Sequence, residues 1–386
     1  MRFLTERKRH LRLALLSLVL VTFLAVCASG QVEPRREIGI PDIPGYLTLM
    51  CDFHMHTVFS DGYVWPMVRV QEAWRDGLDV FSITDHIEYQ PHSEDIPTKH
   101  NRPYEIAAPA ADALGLLIIK GAEITRQKPP GHFNALFLDD AALLEQDDFK
   151  EAVKAAIDQG AFVLWNHPGW PDNDETWYPI HSELYEAGWL HGIEVVNGNT
   201  YYPEAHKWSI EKKLTIFGNS DVHDPIDVDY DPAAGEHRPA TLVFATERSL
   251  DAIKEALKQR RTAIYTQDKL IGEEQYLRPI YDASVEVLTT EVELQGRMRN
   301  QVMIRNSCEV PLYLELANPV EDISIPGRIT LEAESTIVLM LRAASGKISA
   351  ERNVEIPFVV TNFLVAPGKG LPVKLMLKVK FTPMQR

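Results

Sequence analysis

Two pairs of alternating metal-type side chains stand far apart in this 386-residue chain: His54 and His56 in CDFHMHTVFSDG, and Asp221 and His223 in IFGNSDVHDP. Each pair follows a short apolar run that reads as a buried strand. Residues i and i+2 of a strand face the same side, so each pair can present two ligand atoms to one point. Between the pairs stand Asp61, His86, Glu123, His132 and His167, most of them ending apolar runs as well. A lone buried histidine is more often a hydrogen-bonded core residue than a ligand. Nine imidazoles and carboxylates in one kind of position are another matter, and are enough for two or three metal ions. Glu123 closes LLIIKGAE, where a buried carboxylate must be paired or coordinated. Its two oxygens suit it to bridging two ions, and His132 and His167 would complete the second. The chemistry this implies is metal-dependent hydrolysis.

The elements that must position these residues alternate. LTLMCDFHMH, LDVFSITDH, LLIIKGAEIT, HFNALFL, AFVLWNHPGW, GIEVVNG and LTIFGNSDVH read as strands. Helical stretches such as PMVRVQEAWRDG, YEIAAPAADALG and DDFKEAVKAAIDQG separate many of them, the last with an acidic start and a glycine stop. About seven βα units with buried strands indicate a parallel sheet closed into a barrel, with function at the C-terminal strand ends. The segments 89–103, 171–180 and 224–239 read as long loops on that side, fit to wall a pocket.

Other residues near the strand ends have weaker claims. Arg238, in GEHRPATLVFA, is placed to reach a phosphate oxygen; its alternative is an ion pair. Arg126, three residues past Glu123, is a second cation. Glu194 and Asn197 end another strand, where Glu194 could orient a ligand imidazole. Trp65, Trp165 and Trp170 could line an organic pocket, with core packing the alternative for Trp165. The acids of DVDYDPAAGE lack calcium-loop spacing and read as a solvated loop. The sequence contains no Walker loop, nucleophile elbow or dinucleotide fingerprint.

Past the barrel, short alternating strands such as NQVMIRNS, LYLELAN and ESTIVLMLRA predict an antiparallel immunoglobulin-like sandwich. The expected layout is a leader at 1–30, an arm at 31–46, the barrel at 47–275 and the sandwich at 276–386. The leader has a basic start, a short apolar run and a small-residue end, as an export signal does. Periplasmic or secreted location is therefore expected, with a lipoprotein anchor at Cys27 the minor alternative. The apolar run falls short of a membrane span, so none is expected once the leader is cleaved. Removing residues 1–30 takes away Arg2, Arg7, Lys8, Arg9, Arg12 and Glu6, which moves the formal charge from −16 to about −20. Such an acidic chain is a poor partner for bulk nucleic acid. Cys51 and Cys308 read as buried thiols rather than a disulfide framework.

The series HMHTVFSDG, ITDH, GAEIT, GH, NHPG and SDVH closely resembles the polymerase and histidinol phosphatase (PHP) superfamily over residues 47–266. With the leader and the β-domain, the layout is similar to secreted bacterial PHP phosphodiesterases of the Sb-PDE type. The resemblance implies an α/β fold, a distorted (β/α)7 barrel, followed by the small all-β domain. It implies a first metal on His54, His56, Glu123 and Asp221, a second on Glu123, His132 and His167, and a third, where present, on Asp61, His86 and His223. Family members use manganese, iron or zinc, and a donor set without thiolate permits all three. A metal-bridged hydroxide would attack phosphorus, with Asp221 or a histidine supplying the leaving-group proton. The expected substrate is a small organic phosphodiester, because cations are few and tryptophans flank the ligands. The alternatives are a phosphomonoesterase of the histidinol-phosphatase type and a non-catalytic periplasmic binding protein. No polymerase module is expected, and a homo-oligomer is open.

Overall fold

The computed structural model describes residues 35–97 and 99–384; the leader at 1–30, with Cys27, lies outside them. The first part holds strands β1 (Leu47–Asp52), β2 (Val80–Ile83), β3 (Leu117–Ile124), β4 (Phe133–Leu136), β5 (Phe162–Trp165), β6 (Gly192–Asn197), β7 (Thr200–Tyr201), β8 (Thr215–Asn219), β9 (Ala240–Ala245), β10 (Thr262–Thr266) and β11 (Lys269–Gly272). Between and after them run helices α1 (Pro66–Arg75), α2 (Arg102–Ala113), α3 (Phe149–Asp158), α4 (Pro179–Glu186), α5 (Pro203–Lys212), α6 (Ile226–Asp229), α7 (Leu250–Lys258) and α8 (Glu274–Ser284). Their starts are chemically marked. Proline, with its preset φ and no N–H to leave unpaired, opens α1, α4 and α5. Asp148 caps α3 by accepting from the Lys150 and Glu151 N–H groups, and Ser249 caps α7 by accepting from that of Ala252.

The barrel is less uniform than a run of βα units suggests. β1, β2 and β3 are parallel, as are β5, β6 and β8, but β4 is antiparallel to both β3 and β5. The short link from Thr125 to His132 explains this, since it reverses the chain without a crossover helix. The circuit closes between the two ligand-bearing segments. There the Asp221 N–H donates to the His54 carbonyl (2.9 Å) and the His56 N–H to that of Val222 (3.0 Å). Beneath this mouth, Phe53, Phe162 and Phe217 fill the bore, each neighbouring pair edge-on at 5.7 Å. Burying each such ring contributes roughly 1.5–3 kcal/mol. Gly218 of β8 has no room for a side chain: a Cβ there would stand 2.2 Å from Ile264.

The sandwich comprises β12 (Val285–Val287), β13 (Glu291–Gln295), β14 (Arg299–Asn306), β15 (Leu312–Leu316), β16 (Ile323–Ser324), β17 (Arg328–Leu331), β18 (Ser335–Ala343), β19 (Ala350–Ala366) and β20 (Lys369–Thr382). Alternate residues of β18 and β20 are buried, the pattern of strands with one face on a core. Expectation and structure differ at its entry. YDASVEVLT reads as strand, yet residues up to Ser284 belong to α8, whose Tyr276, Leu277, Ile280 and Tyr281 are buried at helical spacing. The sandwich is tied to the barrel by main-chain pairing: β19 runs parallel to β11, Leu270 opposite Phe363. Arg36 and the Gly39 N–H both donate to Glu309, fastening the arm to the sandwich. Cys51 and Cys308 are buried free thiols. Among the described residues, no helix is long and apolar enough to cross a membrane.

Candidate functional site

The nine candidate ligands come together at one mouth of the barrel. The strand from β1 delivers His54 and His56, whose Nε2 atoms lie 3.1 Å apart and each 3.1 Å from Asp221 Oδ1. Glu123, at the end of β3, faces this pair: Oε1 is 3.5 Å from His54 Nε2 and Oε2 is 3.5 Å from His56 Nε2. On its other side Oε1 is 3.1 Å from His132 Nδ1 and 3.6 Å from His167 Nε2, while Oε2 is 2.6 Å from His86 Nδ1. Asp61 lies beyond, 3.4 Å from His86 Nε2, 3.3 Å from His223 Nε2 and 3.7 Å from His56 Nδ1. Ligand atoms group as His54–His56–Asp221, His54–Glu123–His167, His86–Glu123–His132 and His56–Asp61–His86–His223, each compact enough for one ion.

Local features hold these groups in place. Gly62 lets the loop carrying Asp61 fold back on His56, because a Cβ there would sit 2.7 Å from the His56 carbonyl carbon. His167 and Asp221 have φ of 26° and 53°, a conformation non-glycine residues rarely adopt, and both sit in this cluster. Glu194 is fully buried and takes four donors: His54 Nδ1 at 2.8 Å, the His167 N–H at 2.8 Å, Asn197 at 2.9 Å and Asn219 at 2.9 Å. With the proton on Nδ1, His54 donates to Glu194 and turns its Nε2 lone pair to the cluster. Asn197 also donates to Asp221 Oδ2 at 3.2 Å.

The electrostatics are those of a cluster short of positive charge. Burial favours protonating Glu123, yet His86, His54 and His132 outweigh it and hold the carboxyl well below its usual range. Asp221 is likewise held down against burial by His54 and His56. Burial pulls His86 down, but Glu123 and Asp61 prevail and raise it to about 10. His56 falls to about 3 through burial and the nearby His223 and His86. Protons on imidazoles thus offset the carboxylates, and divalent ions can replace them. Two buried carboxylate oxygens, Asp61 Oδ1 and Glu123 Oε2, have imidazole nitrogens close by but no hydrogen bond of sound geometry. Such orphaned acceptors, amid six imidazoles, fit a divalent metal.

Arg238 is a correction. It is buried beneath the site rather than exposed to it, donating to Asp76 at 2.7 and 2.9 Å and to Asp52 at 3.2 Å, and it is not among the residues lining the mouth. Its ion-pair alternative is what the fold uses. Arg126 does line the mouth, but Glu88 and the carbonyls of Thr125 and Gln146 engage it. Trp165 is core, tilted against His181 at 3.7 Å and stacked on Trp208 at 5.7 Å. Trp65 packs on Phe59, outside the residues lining the mouth, whereas Trp170 is among them.

Sequence reasoning missed several supports. Asp85 accepts from the Thr57 N–H (2.7 Å), the Thr57 hydroxyl (2.6 Å) and the Ser60 hydroxyl (2.6 Å), bracing the HMHTVFSDG loop. Asn166 donates to Glu123 Oε1 at 2.7 Å. Asp52 accepts from the Ser220 hydroxyl at 2.6 Å. Each adjoins or lies within two residues of a ligand inside an apolar run, a signal that was available. Arg69, fully buried on α1, carries no such signal, yet donates to the carbonyls of His56 (2.8 Å), Val222 (3.1 Å), His223 (2.7 Å) and Asp224 (2.8 Å).

His181 and His206 give the fold an acid limit. Burial lowers both to about 4. In His181 the Nδ1 accepts from the Tyr178 N–H and Nε2 donates to the Pro130 carbonyl, so the neutral ring is fully used. The unfolded chain, with ordinary histidines near 6.5, binds protons first. Stability is therefore intact above that pH and lost as pH falls toward 4, by about 3 kcal/mol per residue. Urea unfolding of the wild type and His181→Gln from pH 7 to 4 should show this decline reduced in the variant. Parallel curves would remove His181 from the account.

Comparison with known proteins shows the family. A crystal structure of a two-domain protein from Bacteroides vulgatus, containing a predicted PHP-like metal-dependent phosphoesterase, is 46% identical over 90% of this chain and 100% of that one, with a TM-score of 0.85. The chain belongs to the PHP-like metal-dependent phosphoesterase family. The C-terminal part of this PHP-like protein, residues 285–376, matches an Ig-like domain family. A proposed metal-dependent phosphoesterase from Bifidobacterium adolescentis is 19% identical over 45% of this chain and 87% of that one, with a TM-score of 0.36, too slight a likeness to bear on function. A search of curated proteins finds no significant match.

Proposed function

We propose that this PHP-like phosphoesterase hydrolyses small organic phosphodiesters, with two or three manganese, iron or zinc ions held at the nine-residue cluster. His54, His56, Glu123 and Asp221 would hold the first ion, Glu123, His132 and His167 the second, and Asp61, His86 and His223 a third. When bound, such ions neutralise phosphoryl charge and acidify water. The chain's own residues do the rest. Glu194 fixes the His54 ring and the backbone at His167, and Asn197 fixes Asp221. Asp221 and His223 both line the cleft, where Asp221 or a histidine would supply the leaving-group proton.

The observation that carries the diester reading is the lining of the cleft. It encloses about 730 Å³, and the one Lys or Arg among its described lining residues is Arg126, already engaged by Glu88. A monoester dianion calls for more cationic contacts than this; a diester monoanion with a second organic group calls for fewer, and for apolar walls such as Tyr89 and Trp170. The test is turnover of bis- against mono-p-nitrophenyl phosphate by metal-loaded protein. At least tenfold higher kcat/KM for the diester is expected. Monoester preference would favour the phosphomonoesterase, and inactivity at full metal occupancy a binding protein.

A further inference from the structure

Two aromatic side chains stand exposed on opposite flanks of the Glu123 group. Trp170, 53% exposed, lies 5.1 Å from the His132 ring and 5.6 Å from that of His167. Tyr89, 52% exposed, lies 5.9 Å from the His86 ring. Both line the cleft, after β5 and β2 respectively, as does the Thr125–Gln127 segment after β3. Single exposed aromatics are ordinary on a protein surface. These two share one cleft, and among the described residues neither the Trp170 indole N–H nor the Tyr89 hydroxyl has a hydrogen-bond partner. The Trp170 backbone is fixed by its N–H donating to the His167 carbonyl at 2.9 Å, so the ring is presented from a held turn.

We infer that Trp170, with Tyr89 lining the same cleft, offers a stacking face for a planar aromatic group on the ester substituent retained after hydrolysis, so that the preferred substrates are aryl or nucleoside esters rather than alkyl ones. This rests on the phosphodiester reading for the reaction but not for the binding. Stacked aromatic pairs contribute roughly 0.5–1.5 kcal/mol beyond area burial, up to about a tenfold preference.

Two measurements test it. Calorimetry of metal-loaded protein with phenylphosphonate and methylphosphonate, neither of which can be hydrolysed, should show about tenfold tighter binding of the phenyl compound. Trp170→Ala should abolish that difference and Trp170→Phe retain most of it. Kinetics with phenyl, thymidine and methyl p-nitrophenyl phosphates, which share a leaving group, should show the preference in KM, with kcat within about twofold. Thymidine matching phenyl would mark a nucleoside ester, and thymidine matching methyl an aryl one. Equal phosphonate affinities, or a phenyl preference that survives both Trp170→Ala and Tyr89→Ala, would overturn the inference. Phenyl preference in binding without turnover of any diester would leave the stacking face standing and remove the phosphodiester reading instead.

Discussion

Glu123→Gln should lose bound metal and phosphoesterase activity together, with kcat/KM down on the order of a thousandfold, equivalent to about 4 kcal/mol. The size follows from its position. The carboxylate is completely buried and stands within 3.6 Å of nitrogens on His54, His56, His86, His132 and His167. Its loss removes a donor from two of the proposed ion sites at once, and an amide is a weaker donor with no charge to balance the imidazoles. By comparison, changing Asn197, which touches Asp221 and Glu194 but faces no ion site directly, should cost far less. The check is metal content and kcat/KM measured on the same preparations. A Glu123→Gln protein with full metal content and unchanged turnover would contradict the assignment.

Arg69→Met should destabilise the fold by about 3–5 kcal/mol, the range found when one member of a buried ion pair is removed. Arg69 has no exposed surface, and its guanidinium is spread over four backbone carbonyls and Glu72 Oε2 at 2.7 Å. Those carbonyls belong to the two segments that carry His54–His56 and Asp221–His223. Methionine replaces the aliphatic stem of the side chain but leaves the carbonyls without a donor and the carboxylate unpaired. The ligand segments should separate before the rest of the barrel unfolds, so metal affinity falls alongside stability. Urea unfolding with and without added metal checks this. A loss below about 1 kcal/mol would mean water substitutes for the guanidinium.

That these nine side chains would converge was legible because their chemistry is written along the chain. An imidazole or carboxylate at the end of an apolar run has few structural uses, and strand alternation puts His54 and His56 on one side. The β-rich C-terminal part follows from the same alternation. What hid was pairing across the fold. Arg238 stands between the last ligand and β9, as a substrate contact would, but its direction is set by Asp52 on β1 and by Asp76 after α1, both more than 160 positions away. Arg69 looks like a solvated helix residue, since nothing along α1 reveals four carbonyls waiting above it. The reversed direction of β4 was invisible for a similar reason: a four-residue apolar run has no polarity of its own, and the short link before it decides.

The proposed function requires these nine side chains to hold divalent cations at one mouth of the barrel. The most direct test is a crystal structure of protein grown with manganese, with anomalous scattering recorded at the metal's absorption edge. At least two anomalous peaks within bonding distance of the His54–His56–Asp221 and Glu123–His132–His167 groups are predicted. A well-ordered cluster with no peak among those residues, in crystals of protein that still cleaves its ester substrate, would contradict it.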